Sequence, residues 1–194
     1  MKRVIFALVG VGALASAVTI TAPVSGQSGG EAAPVYGIKL PQGYRDWHLI
    51  SVSRLAGGKS DNSAVFEGHM AHNQLRTLLG NEIATKAFRE GQLPFPDGAM
   101  IAALHWNEGS SDENDKVLAI GFPNAGLQSS VPESAVNVQF MVKDSKKYAA
   151  TAGWGFADFT NGKPGNEALH QTCLPFHQPA KDRDFVFTRY APTP

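Results

Sequence analysis

The residues of this sequence best suited to chemistry lie near its C-terminus, in the segment Cys173-Leu174-Pro175-Phe176-His177. In the pattern Cys-x-x-Cys-His, two thiols add to the vinyl groups of a haem, and the adjacent histidine becomes the axial ligand of the iron. Here the first thiol and the histidine are present, while Phe176 occupies the position of the second thiol. The segment therefore predicts a c-type haem held by one thioether bond through Cys173 and one iron bond through His177.

Other interpretations of the same residues stay open at this stage. Cys173 is the only cysteine of the chain, so it forms no intramolecular disulfide, and a buried structural thiol is the alternative to haem attachment. His177 would then lie in a terminal loop without a metal, and Pro175 and Pro179 would only shape that loop.

Histidine and thiolate are also the ligands that zinc prefers. Two groupings invite that interpretation, namely His69 with His72, and His170 with Cys173 and His177. Neither spacing matches a closed zinc site, so we do not expect one.

The composition is that of a single folded domain. The 194 residues are 43% hydrophobic and include three tryptophans and eleven phenylalanines, which is enough to bury a core. Seventeen basic and seventeen acidic residues give no formal net charge, which argues against nucleic acid or an anionic membrane surface as a partner. A small neutral ligand or a haem fits this balance better.

The N-terminus has the features of an export signal. Basic Lys2 and Arg3 precede an apolar run over residues 4–20, and small and polar residues follow. We expect a cleaved signal peptide over 1–26 and no membrane attachment afterwards, with an uncleaved anchor as the alternative. A Gly/Ser/Ala/Pro stretch over 27–39 predicts a flexible leader, and the domain then spans 40–194.

Hydrophobic alternation and turn residues predict several short strands and few helices. One helix is expected at 82–90, ending at Gly91, a further helical turn at 144–150, and a tight turn at Asn161-Gly162. A polar loop is expected at 109–115 and a longer loop at 121–132. The predicted strands cover 48–55, 64–70, 74–79, 99–106, 116–122, 135–143, 156–160 and 185–190. This pattern favours an α+β fold, mainly an antiparallel sheet with a few short helices packed on it.

Seven short segments, in this order along the chain, resemble the cytochrome P-460 family, which is related to the beta-type cytochromes c-prime. They are Leu40-Pro41, Tyr44-Arg45-Asp46-Trp47, Leu79-Gly80-Asn81, Pro96-Asp97-Gly98-Ala99, Val138-Gln139-Phe140-Met141-Val142-Lys143-Asp144, Gly153-Trp154-Gly155-Phe156 and Asp184-Phe185-Val186-Phe187-Thr188-Arg189-Tyr190. The resemblance implies a bacterial periplasmic protein, usually a homodimer, with one c-type haem near the C-terminus.

On that resemblance Cys173 matches the first haem-attaching thiol and His177 the proximal iron ligand. Phe176 replaces the second thiol and would instead form an apolar wall beside the porphyrin. Hydroxylamine-oxidising members carry a lysine bonded to the porphyrin edge, and counting from Asp97-Gly98 places that position at Ala103, whose methyl group cannot form the bond.

The resemblance therefore implies a haem protein that binds a small gas such as nitric oxide, or that exchanges electrons with a redox partner protein. An enzyme that oxidises hydroxylamine is the alternative, disfavoured by Ala103, and whether the chain is an enzyme stays open. A haem-free relative serving as a binding or structural module is a third hypothesis, because haem attachment normally uses both thiols.

Strand alternation places His105 on the same face as Ala103, where it would reach the distal side of the haem; the alternative is a surface histidine or a satisfied core histidine. His105 and Met100 are the distal residues to examine. A general base for hydroxylamine chemistry would be a distal carboxylate or histidine. The acids of 109–115 and Glu133 are the candidates, and the sequence does not decide among them.

Overall fold

The computed structural model describes residues 30–56 and 73–192. Within this part, six antiparallel strands form one sheet in which each strand pairs with the next along the chain. The strands are β1 (His48–Leu55), β2 (Gln74–Gly80), β3 (Met100–Ser110), β4 (Ser130–Lys143), β5 (Trp154–Thr160) and β6 (Lys163–Pro164). The expected α+β fold with a mainly antiparallel sheet is confirmed.

Three α-helices accompany the sheet in the described residues: α1 (Glu82–Glu90), α2 (Asp112–Gly121) and α3 (Glu167–His177). Short 3-10 helices cover Tyr44–Asp46, Ala149–Thr151 and Gln178–Arg183. None of the helices in this part of the chain is long and apolar enough to cross a membrane.

Helix α1 was correctly predicted because both of its ends are encoded locally. The side chain of Asn81 accepts a hydrogen bond from the Ala84 N–H, which satisfies one of the free donors of the first turn. Gly91 ends the helix with a φ of 62°, a conformation that costs glycine little.

The prediction of a polar loop at 109–115 and a strand at 116–122 is wrong. Strand β3 continues to Ser110, and α2 follows from Asp112 to Gly121. Ser111 caps this helix by accepting from the Asn114 N–H, and three acids in the first turn favour the positive end of the helix dipole. The apolar run at 117–120 is too short for its periodicity to separate strand from helix.

The C-terminal region also differs from the prediction. Residues 167–177 form helix α3 although Pro175 lies within it, since a proline near the end of a helix removes only one of its last hydrogen bonds. Residues 185–190 form no strand. Asp184 and Phe185 both have positive φ, and this turn directs the chain across the sheet until the Ala191 N–H reaches the Ile50 carbonyl at 2.8 Å.

Part of the predicted leader packs on the domain. Ala32 and Lys39 form an isolated β-bridge, Ala33 and Tyr36 are buried, and the Tyr148 hydroxyl donates to the Tyr36 carbonyl at 3.2 Å. The predicted signal peptide, residues 27–29, the predicted strand 64–70, His69 and His72 lie outside the described residues.

Packing explains the residue types of the motif Gly153-Trp154-Gly155. Trp154 is fully buried, and the ring of Tyr148 lies against the backbone of Gly155. A Cβ atom at position 155 would lie only 2.6 Å from Cε2 of Tyr148, so position 155 has no room for a side chain.

Replacing Gly155 with alanine is therefore expected to lower the free energy of unfolding by about 1–3 kcal/mol, the usual effect of overpacking. Urea unfolding followed by circular dichroism measures the change. Gly121→Ala is the matched control, because nothing lies within 4 Å of a Cβ at that position. Equal stabilities of the two variants would contradict the steric explanation.

Candidate functional site

A cavity of about 220 Å³ lies between one face of the sheet and the C-terminal part of the chain. All four residues predicted from the sequence as the haem site, Cys173, Phe176, His177 and Ala103, line it, and so does His105. The sheet contributes Arg76, Leu78, Ile101, Ala103, His105, Gln139, Met141 and Asp158, and the opposite wall is formed by Cys173, Phe176, His177, Val186, Phe187 and Thr188. Met100 is not among the lining residues.

Helix α3 places Cys173 and His177 on the same side because residues four apart in a helix are neighbours. The helix begins at Asn166, whose side chain accepts from the Leu169 N–H at 2.9 Å. The fully buried His170 ties the helix to β5. Its Nε2 accepts from the Asp158 N–H at 3.1 Å, so Nδ1 carries the proton and donates to the Asn166 carbonyl at 2.8 Å.

The ring of His177 is fixed by one hydrogen bond and three aromatic neighbours, of which Phe176 lies 5.5 Å away, centre to centre. Its Nδ1 lies 2.8 Å from the Phe185 carbonyl oxygen, which can only accept, so Nδ1 carries the proton and Nε2 keeps its lone pair. The rings of Phe156 and Phe187 each lie 5.1 Å from the imidazole, centre to centre.

Electrostatics keep this imidazole neutral. Burial lowers the pKa of His177, and the positive charge of Arg76 adds to this effect, while the hydrogen bond to Phe185 opposes it. A neutral imidazole with its other nitrogen bonded to a carbonyl is the form in which histidine binds metals. The acceptor of this proton could not be predicted from the sequence, because Phe185 lies outside helix α3 and meets His177 only in the folded chain.

Cys173 is half-buried in the cavity wall, and its Sγ lies 3.7 Å from the Leu169 carbonyl oxygen. Burial, with a smaller contribution from the nearby carboxylate of Asp158, raises the pKa of this thiol to about 12. The sulfur is therefore a protonated thiol at neutral pH, which protects it from oxidation.

A polar region closes one end of the cavity. The buried carboxylate of Asp158 accepts from Asn137 Nδ2 at 2.6 Å and from Gln139 Nε2 at 3.1 Å. Nearby, Nδ1 of the buried His105 lies 3.4 Å from Gln74 Oε1. Neither Glu133 nor the acids of 109–115 line the cavity. Asp158 was not predicted as a site residue. Its only signal in the sequence is an acidic residue within the otherwise largely apolar strand β5.

Two phenylalanines lie at the mouth of the cavity. The side chains of Phe176 and Phe187 are 45% and 37% exposed, and their rings meet edge to face at 5.7 Å. The guanidinium carbon of Arg76 lies 5.6 Å from the centre of the Phe187 ring, and Arg76 Nε donates to Ser53 Oγ at 3.2 Å.

The chemical groups of these residues fit a haem. One neutral imidazole, one thiol a helical turn away and a largely apolar wall are the groups that a singly attached haem needs. The cavity volume is below the 300–1,000 Å³ that is typical of small-molecule sites, so the cavity must widen to admit a macrocycle. Ala103 offers only a methyl group on the opposite wall.

A zinc site has no support in the structure. Within residues 30–56 and 73–192, no three histidine, cysteine, aspartate or glutamate side chains are placed to hold a metal ion. Both ring nitrogens of His170 are engaged by hydrogen bonds to the backbone.

A Cys–His pair on a helix that faces an antiparallel sheet across a cavity fits a haem-binding, cytochrome-like protein. Residues 41–188 match the family described as Cytochrome P460, so the chain belongs to this family, as its motifs predicted. The family implies a haem cofactor. The chain matches none of the curated proteins.

The raised pKa of Cys173 predicts that this thiol reacts slowly with alkylating reagents. In the haem-free protein at pH 8, we expect iodoacetamide to alkylate Cys173 about 100-fold or more slowly than in the unfolded chain, because the thiolate is the nucleophile and its lower abundance outweighs its greater reactivity. Mass spectrometry with and without 8 M urea measures both rates, since Cys173 is the only thiol. Equal alkylation rates in the folded and the unfolded protein would contradict a raised pKa of Cys173.

Proposed function

We propose that this protein binds one haem c through a single thioether bond to Cys173, with His177 as the proximal iron ligand, and that it binds a small gas such as nitric oxide or exchanges electrons. The observation that carries the proposal is the hydrogen bond from His177 Nδ1 to the Phe185 carbonyl. It leaves the lone pair on Nε2, in a cavity that Cys173 also lines.

Each residue of the site has a separable task in this proposal. Cys173 adds its S–H across one vinyl double bond, so that sulfur bonds to one carbon and hydrogen to the other without net oxidation. Phe156 and Phe187 pack against the imidazole, with ring centres 5.1 Å from it. Phe176 supplies apolar contact where a second thiol would have reacted. The bound haem supplies an iron that takes a diatomic ligand or an electron.

The opposite wall supports an open sixth coordination position. Ile101 and Ala103 present only hydrocarbon to the cavity. His105 and Met141 are the lining residues of β3 and β4 that carry a possible sixth ligand, and Nδ1 of His105 is already directed at Gln74.

Oxidation of hydroxylamine is the second candidate function, and Asp158 is the observation in its favour. A reaction that removes protons from the substrate needs a nearby acceptor. Asp158 is a carboxylate in the cavity wall, and the amides of Asn137 and Gln139 fix its orientation. Ala103 remains against this function, because it cannot make the porphyrin bond that the family resemblance associates with it.

The resemblance and the N-terminal sequence support further proposals about the setting of the protein. The apolar run after Lys2 and Arg3 supports export to the bacterial periplasm and cleavage of the signal. A homodimer and a redox partner protein rest on the resemblance alone.

Covalent attachment is tested by expression in a host that attaches haem c. The wild-type protein is expected to carry one haem by intact mass and by its pyridine haemochrome, and this haem should survive extraction with acidified organic solvent. Cys173→Ala is expected to lose the haem on extraction. Gln171→Ala is the matched control, because this exposed residue of the same helix bonds only to Glu167.

Two outcomes would contradict the attachment proposal. A Cys173→Ala variant that keeps its haem through extraction would exclude this thiol as the attachment point. Wild-type protein that takes up no haem under these conditions would favour the haem-free binding or structural module, with Phe176 filling space in the cavity.

The coordination of the iron predicts the gas chemistry. The ferrous protein is expected to show a five-coordinate, high-spin spectrum and to bind nitric oxide, with no turnover of hydroxylamine. His177→Gly should lose the proximal ligand, and added imidazole should restore the spectrum.

A six-coordinate, low-spin spectrum that changes in His105→Ala or Met141→Ala would contradict the open position. Hydroxylamine turnover that falls in Asp158→Asn would favour the second function.

A further inference from the structure

A buried ion pair lies beside the site without belonging to the cavity wall. Lys143 Nζ lies 2.8 and 2.9 Å from the two carboxylate oxygens of Asp184, and these side chains are only 6% and 10% exposed. Lys143 Nζ also donates to the Ala152 carbonyl at 3.1 Å and lies 4.8 Å from the centre of the Trp154 ring. Asp184 accepts a further hydrogen bond from the Phe95 N–H at 2.8 Å.

The ion pair holds a turn that is unfavourable by itself. Asp184 and Phe185 have φ of 52° and 64°, the left-handed conformation that side chains with a Cβ rarely adopt. Asp184 tolerates it better than most residues, but Phe185 does not share this tolerance. Hydrogen bonds from the Asp184 N–H to the Lys181 carbonyl and from the Phe185 N–H to the Ala180 carbonyl close the turn on its backbone side. The side chain of Asp184 fixes it on the other side.

This turn carries the acceptor of the His177 proton. The Phe185 carbonyl, one residue after Asp184, lies 2.8 Å from His177 Nδ1. Lys143 ends strand β4, and its backbone pairs with Gly98 and Ala99 at 2.8 and 2.9 Å, so the pair connects the sheet rigidly to the turn. The orientation of the imidazole therefore depends on a contact in a different part of the fold.

We propose that Lys143 and Asp184 are positioning residues for His177, because their ion pair sets the Asp184–Phe185 turn and through it the direction and tautomer of the imidazole. A buried ion pair is weak evidence for a role in stability, since apolar residues of similar size often stabilise as well. Holding one carbonyl in one place is a task that only a directional contact performs. The role toward an iron ligand rests on the proposed function, whereas the role toward the imidazole does not.

The test uses the haem-free protein labelled with ¹⁵N. The wild type is expected to show a slowly exchanging Nδ1 proton of His177 and a single tautomer, with the signals assigned by their loss in His177→Gln. The double variant Lys143→Met with Asp184→Asn removes both charges, keeps an oxygen acceptor for Phe95, and leaves no unpaired charge. It is expected to lose the slow Nδ1 proton signal and to show a mixture of tautomers.

Asp97→Asn is the matched control. Asp97 accepts from the backbone and hydroxyl of Ser145 at 2.7 Å each, close to the end of the same strand, and it is near enough to Lys143 to interact with its charge without being part of the turn. Its His177 signals are expected to match the wild type. A folded double variant, verified by circular dichroism, that keeps the wild-type signals would overturn the proposal. Should the double variant fail to fold, the single change Asp184→Asn decides by the same signals.

The haem-loaded protein gives an independent readout. A weaker hydrogen bond to Nδ1 lowers the electron donation from the imidazole. The iron–histidine stretching band of the ferrous double variant is therefore expected at lower frequency than in wild type and Asp97→Asn, and the reduction potential is expected to rise. An unchanged band would count against the proposal. A chain that takes up no haem would contradict the proposed function and leave the nitrogen measurements to decide this inference.

Discussion

The hydrogen bond between His177 Nδ1 and the Phe185 carbonyl is the interaction on which the site depends. It joins the end of α3 to the chain that leaves it, and so closes the cavity on the side away from the sheet. Without it neither the tautomer nor the direction of the imidazole is fixed. The neighbouring aromatic rings restrict rotation, but only the carbonyl selects which nitrogen carries the proton.

Burial, supported by nearby charges, keeps both reactive side chains neutral. Asp158 adds to the effect of burial in raising the pKa of Cys173, and Arg76 adds to it in lowering the pKa of His177. A negative group near the thiol and a positive group near the imidazole both favour the uncharged forms. The cavity wall therefore presents a thiol and an imidazole lone pair rather than two ions.

Local signals predicted much of the fold and the chemistry of the site. Helix α1 was predicted from Asn81 and Gly91, and Cys173 and His177 were identified by their spacing. Helix α3 was missed because Pro175 obscures the pattern of its last turn, and α2 because a short apolar run fits either period. The roles of Asp158 and of the Phe185 carbonyl could not be predicted, since they arise from contacts between elements that are distant in sequence.

The pairing order of the sheet separates the scaffold from the reactive segment. Each strand hydrogen-bonds to its predecessor, and the last strand is complete at Pro164, before α3 begins. Pairing between successive strands keeps loop closure short and speeds folding. The strand pairing that forms one wall of the cavity therefore uses no residue after Pro164, whereas the thiol and the imidazole belong to the segment that follows.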